Sequence, residues 1–192
     1  TYNDAGATAS DNVDGNLTTS IATVSTVNTA TVGNYSVTYN VSDVAGNVAD
    51  QVSRVVNVTA DVTSPVVTAP ANITVAATGA SGTDASVTAI AIFLSGATAA
   101  DNVDPTLTIT HNASAVLPLG ANLITFSATD TAGNTGTDQA TVTITDQTKP
   151  VITLVGSSPI NVELGSTYND AGATASDNVD GNLTTSIATV ST

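Results

Sequence analysis

Residues 120–145 read GANLITFSATDTAGNTGTDQATVTIT, and their pattern decides the fold. Ile124, Phe126 and Ala128 alternate with other residues, and Val142 and Ile144 sit between Thr141, Thr143 and Thr145. A period of two sends successive side chains to opposite faces of an extended chain, so each run reads as a half-buried strand. Between them stands Asp130-Thr131-Ala132-Gly133-Asn134, a string of residues that favour tight turns. The alternation recurs upstream in Tyr35, Val37, Tyr39 and Val41, and again in Leu107 and Ile109. Each run is short and bounded by Gly, Asn, Asp or Pro. No stretch shows a convincing, capped 3.6-residue period, so the chain reads as all-β.

Comparing the sequence with itself sets the domain plan. Residues 1–26, TYNDAGATASDNVDGNLTTSIATVST, recur unchanged at 167–192. The chain is thus a little more than one period of a tandem array. Inside the period, ASDNVDGNLT at 9–18 is echoed by AADNVDPTLT at 99–108, and SDVAGN at 42–47 by ATDTAGN at 128–134. One period therefore holds two related domains. TADVTSP (59–65) and TDQTKP (145–150) are the candidate linkers, because each ends in a proline that blocks continuation of a strand. The expected plan is the C-terminal part of one repeat at 1–60, an intact sandwich at 62–147, and the N-terminal part of the next repeat at 148–192. With about seven short strands per domain, the fold class is tandem immunoglobulin-like Greek-key β-sandwiches.

Composition excludes several functions. The chain has 192 residues, 16 acids and 2 bases, and a net charge of −14; aromatics are 3% and Cys, Met and Trp are absent. Without cysteine and with His111 as the single histidine, no disulfide framework, zinc knuckle or thiol nucleophile can form. His111 reads as a surface loop residue with no partner for a hydrolase triad. Two cations cannot neutralise a phosphate backbone, which excludes nucleic acid as a partner. No apolar run approaches the ~20 residues of a transmembrane helix. Neither a signal peptide nor an initiator Met opens the sequence, so it reads as a mature fragment or an excised window. Small Val, Ala, Ile and Thr in place of large rings predict a thin core that needs support beyond packing. Seven Asn-x-Ser/Thr sequons occur, close to the number that so much Ser and Thr gives by chance.

Residues 63–146 contain Leu-Pro-Leu-Gly at 117–120, a strand, and the Asp-x-Ala-Gly-Asn turn, in that order. This segment resembles a hyalin repeat domain. The flanking halves carry Tyr-x-Asp-x-Gly-Ala, Asp-Gly-Asn-Leu-Thr and Gly-x-Tyr-x-Val-x-Tyr steps. They resemble a bacterial immunoglobulin-like surface repeat. The resemblances imply an extracellular or cell-surface location, a spacer role in adhesins or surface layers, and no catalysis.

Half of the acids fall in two recurring turns. Asp11, Asp14, Asp101, Asp104, Asp177 and Asp180 lie in Asp-Asn-Val-Asp loops; Asp43 and Asp130 open the Asp-x-Ala-Gly-Asn turns. In an immunoglobulin-like strand order both turns lie at the pole where the preceding linker enters, bringing the linker acids Asp61 and Asp146 to them. Such crowding would raise carboxylate pKa values or splay the loops. A calcium ion, which takes six to eight oxygens, would remove the conflict. Asn102 and loop carbonyls are further candidate ligands. The competing explanation is turn chemistry alone, since Asp and Asn bond backbone N–H groups in just such turns. Asp4 and Asp170 read as either an added ligand or a turn cap.

The leading functional reading is a structural tandem repeat of a surface-layer, adhesin-stalk or fibre protein, stiffened by calcium at domain junctions. The first alternative is a filament subunit whose two half-domains complete those of other copies by strand donation. The second is a ligand-binding adhesin, with other surface proteins or glycans as partners.

Overall fold

A computed structural model describes residues 2–190. The chain forms two compact units, Thr1–Val62 and Thr63–Thr192. Both are built almost wholly of strands, with one short α-helix among the described residues.

The first unit contains β1 (Ser10–Asp11), β2 (Gly15–Asn16), β3 (Ala22–Ser25), β4 (Gly33–Asn40) and β5 (Val52–Val58). β1 and β2 form a small hairpin, and β3, β4 and β5 form an antiparallel sheet. The alternation read from the sequence is realised in β4, where Val37 and Tyr39 are buried. A polar latch holds the N-terminal segment to this sheet. Asp4 accepts hydrogen bonds from the hydroxyls of Tyr39 at 2.6 Å and Tyr2 at 3.0 Å, and from the Gly6 N–H at 3.1 Å. Arg54 forms an ion pair with Asp4, donates to the Gly6 carbonyl at 2.9 Å, and lies 5.6 Å from the Tyr39 ring centre. The Tyr39 hydroxyl, foremost, holds the Asp4 carboxyl below its usual pKa.

The second unit runs through β6 (Val66–Thr68), β7 (Ile73–Ala76), β8 (Thr83–Asp84), α1 (Thr88–Ser95), β9 (Thr98–Ala100), β10 (Ile109–His111) and β11 (Val116–Leu117). It continues with the long β12 (Gly120–Thr129) and β13 (Thr135–Thr145), then β14 (Val151–Leu154), β15 (Ala173–Asp177) and β16 (Gly181–Asn182). The main sheet has the order β10-β12-β13-β7, with β7 parallel to β13. Two small pairs, β6-β9 and β8-β11, accompany it, and β14-β15-β16 form a separate sheet. Ile124, Phe126 and Ala128 of β12 and Ala140, Val142 and Ile144 of β13 are buried in one cluster with Val67 of β6, Leu117 of β11, and Ile90 and Phe93 of α1. Phe93 and Phe126 meet edge to face at 5.8 Å, so both phenylalanines of the chain lie in this core.

Helix α1 is a single short exception within the all-β architecture read from the sequence. Ile90 and Phe93 are its buried residues, and a spacing of three brings both to one side of a helix. Two turns without a capping side chain are too short for a period to stand out. Two corrections follow from the pairing. His111 ends the edge strand β10, opposite Phe126, instead of lying in a loop. Leu107, expected to continue that strand, stands outside it and is partly buried against the core.

Gly136 records a close approach within the second unit. A Cβ at Gly136 would lie 1.8 Å from the Pro65 carbonyl oxygen, so β13 presses directly on the chain that enters β6.

Candidate metal centre

The acidic sites are built by repetition of one turn. In each Asp-Asn-Val-Asp loop the first aspartate turns its Oδ1 back on the backbone, as Asp does in turns. Asp101 Oδ1 accepts from the N–H groups of Val103 at 2.8 Å and Asp104 at 3.0 Å. Asp177 accepts from Val179 at 2.7 Å and Asp180 at 3.0 Å; Asp11 accepts from Val13 at 2.7 Å and Asp14 at 2.9 Å. These N–H donors hold the Asp101 and Asp11 carboxyls below their ordinary pKa. The expectation that crowding would raise the carboxylate pKa values is corrected at these two positions: direct hydrogen bonds to the charged form outweigh the desolvation that opposes it.

The second turn is equally regular. Asp130 accepts from the Asn134 N–H at 2.7 Å and its side-chain amide at 2.8 Å, and Asp43 makes the same bonds to Asn47. Asn47, through its side chain first, holds the Asp43 pKa down. Gly133 and Gly46 close these turns at φ of 93° and 89°, a left-handed conformation that glycine adopts without strain.

Two groups of carboxylates result. Asp101, Asp104 and Asp130 each offer an oxygen within 4.8 Å of the others; Asp61, expected to join them, lies in the first unit. Asp146, Asp177 and Asp180 do the same at the start of the 148–192 segment. Two oxygens on opposite sides of a calcium ion at ~2.4 Å are ~4.8 Å apart, so either group is compact enough for one ion. Within each group one atom stands out: Asp101 Oδ2 and Asp177 Oδ2 are buried and have no hydrogen-bond partner. Asp130 is 6% exposed, whereas Asp146 lies at the surface with one oxygen accepting from Thr148 N–H at 3.0 Å. Among the described residues Asp11, Asp14 and Asp43 do not form such a group. Asn102, a candidate ligand by sequence, is exposed. Asp4, left between ligand and cap, is the Arg54 partner and caps Gly6; Asp170 accepts from the Tyr168 hydroxyl at 2.9 Å.

Sequence reasoning overlooked the roles of Thr131 and Arg54. Thr131 donates its N–H to Asp104 Oδ2 at 3.0 Å and its hydroxyl to the same carboxylate, which locks the second turn to the first. The matching step in the other repeat has Val44 N–H on Asp14 Oδ2 at 3.0 Å, so the backbone alone sets this contact and no side-chain signal announces it. Arg54 lies 50 residues from Asp4, beyond the reach of local patterning.

Antiparallel strand pairing with recurring acidic turns defines an all-β, immunoglobulin-like repeat. A family model for the bacterial surface protein Ig-like domain matches residues 1–58 and 152–192, just over half of the chain. The chain belongs to that family, and hence among cell-surface repeats of structural or adhesin type. No curated protein matches it. No helix among the described residues is long and apolar enough to cross a membrane.

Proposed function

We propose that this chain is a structural tandem-repeat segment of a surface-layer, adhesin-stalk or fibre protein, and that its acidic poles bind calcium and thereby stiffen the array. The middle segment, 62–147, acts in this reading as a hyalin-repeat-like spacer between immunoglobulin-like repeats. The repeat itself performs no chemistry.

The observation that carries the calcium reading is the orphaned oxygen. Asp101 and Asp177 occupy the same place in two related loops, and in both the same atom, Oδ2, is buried without a hydrogen bond. Turn chemistry accounts for Oδ1 and leaves Oδ2 unexplained, whereas a buried carboxylate oxygen left alone is costly. A hard dication supplies what is absent, and water and loop carbonyls complete its shell. Because the linker aspartate Asp146 belongs to the group of Asp177 and Asp180, an ion there would tie linker to loop. Extracellular calcium modules bind at ~10⁻⁴–10⁻³ M, in keeping with a site of this kind outside the cell.

Electron microscopy and solution scattering of the array with calcium and with a chelator test the reading. Shortening and bending after chelation support it; unchanged length and stiffness contradict it.

A further inference from the structure

In the loop at 177–180 the two aspartates hold the turn and supply the carboxylate group, which leaves the side chains of Asn178 and Val179 without a part in either. Both have a definite place elsewhere. The Asn178 side-chain amide donates to the Ala77 carbonyl at 3.2 Å, across 101 residues of chain. Val179 is partly buried and packs against the core that contains Phe126 and Val142. The tip of this loop, in the repeat that follows the 145–150 linker, therefore sits on the sandwich before the linker, within the second unit.

Both surfaces are ordered on their own side. Ala77 follows β7 and is 4% exposed, and its N–H donates to the Thr145 carbonyl at 2.8 Å, continuing the β7–β13 pairing. Its carbonyl lies past the end of that pairing, and a carbonyl on so buried a residue needs a partner. The turn beyond is closed by the Gly82 N–H on the Gly79 carbonyl at 3.0 Å. Thr83, wholly buried, pins it: its hydroxyl donates to the Ala76 carbonyl at 3.0 Å and accepts from the Thr78 N–H at 3.2 Å. On the opposite side, Asp177 Oδ1 fixes the backbone of Val179 and Asp180. Two surfaces ordered in advance lose little conformational freedom when they join. The approach is close at Gly79, where a Cβ would lie 3.8 Å from the Asn178 carbonyl oxygen.

We infer that Asn178 and Val179 form a plug that seats on the Ala77–Gly82 turn and docks the immunoglobulin-like repeat on the sandwich before it without any ion. The loop motif then has two roles: its aspartates shape and charge the loop, and its Asn-Val tip docks it. Because the sequence is a tandem array, the joint recurs once in each period. One hydrogen bond and one valine make a small contact that opens and closes, so an array held by plugs alone still bends. In the calcium reading, an ion on Asp146, Asp177 and Asp180 holds the closed form of the same joint.

Pulsed electron-spin distance measurement on the full chain in chelator separates the plug from the calcium reading, because no ion is present. The sequence has no cysteine, so Thr137→Cys and Thr174→Cys, both at exposed positions, carry the only two spin labels. The expected result is one dominant narrow distance with a minor broad tail. Asn178→Ala and, separately, Val179→Asp should lower the ratio of narrow to broad about fivefold or more, as loss of one such contact implies. Gly79→Glu should do the same from the opposite surface: Gly79 has no positive φ, so the backbone accepts a side chain, which then meets the Asn178 carbonyl. Circular dichroism of the variants should match the wild type, showing that the strands are kept. A wild-type distribution that is broad in chelator and narrows only with calcium, or a narrow one that all three variants retain, overturns the inference.

Discussion

The backbone N–H of Thr131 donates to Asp104 Oδ2 at 3.0 Å, fastening the turn between the two longest strands, β12 and β13, to the acidic loop that follows β9. Val44 and Asp14 repeat the relationship in the other domain type, at the same distance. Each acidic pole is thus a shared device of the two repeats, and its parts can be tested singly.

Asp104→Ala removes the acceptor for the Thr131 N–H and hydroxyl. A loss of about 1–2 kcal/mol is expected for the domain around β12 and β13. Urea unfolding measures it; a change under about 0.3 kcal/mol would show that the turns are positioned without this carboxylate.

Phe126→Ala opens the centre of the larger core, where Phe126 is 0% exposed and packed on Phe93. The expected cost is about 3–5 kcal/mol, enough to abolish cooperative unfolding of a thin-cored sandwich. Calorimetry of the variant checks this, and the first unit's transition should be unmoved.

Gly133 and Gly136 of the β12–β13 hairpin should differ in degree. Gly133→Ala strains a φ of 93° and should cost about 1 kcal/mol. Gly136→Ala drives a methyl into the Pro65 carbonyl at 1.8 Å and should cost more, at least about 2 kcal/mol. Equal losses in chemical denaturation would contradict the close approach of β13 to the chain entering β6.

Acid should weaken the fold through the turn carboxylates. The pKa values of Asp11, Asp43 and Asp101 are lowered from 3.8 by hydrogen bonds to the ionised form. A depressed folded-state pKa gives stability that is complete above the unfolded value and is lost as pH falls through the folded one. Stability in calcium-free buffer should therefore hold above about pH 4.5 and decline below about pH 3.8. Asp101→Asn should reduce that slope. Denaturation midpoints independent of pH across this window would refute the assignment.

Much of the fold was legible because strand patterning is local. Val37 and Tyr39, and Ile124, Phe126 and Ala128, are buried as their alternation implied. The acids were legible because they recur, and the loops that hold Asp101, Asp104 and Asp130 meet where Thr131 bonds Asp104. What escaped was non-local or too short. Thr88–Ser95 offers two turns with only Ile90 and Phe93 buried, too little for a helical period, and the parallel pairing of β7 with β13 joins Ile73 to Val142.

The central claim, that the acidic poles are calcium sites centred on the orphaned Oδ2 atoms, is tested most directly by calorimetric titration of the full chain with calcium. Two binding events are expected, one for each carboxylate group, with dissociation constants of ~10⁻⁴–10⁻³ M. Asp101→Asn keeps an oxygen for the turn but removes the charge, so it should abolish one event, and the double variant with Asp177→Asn should abolish both. A wild-type chain that takes up no calcium, or a double variant that binds as the wild type does, would contradict the account.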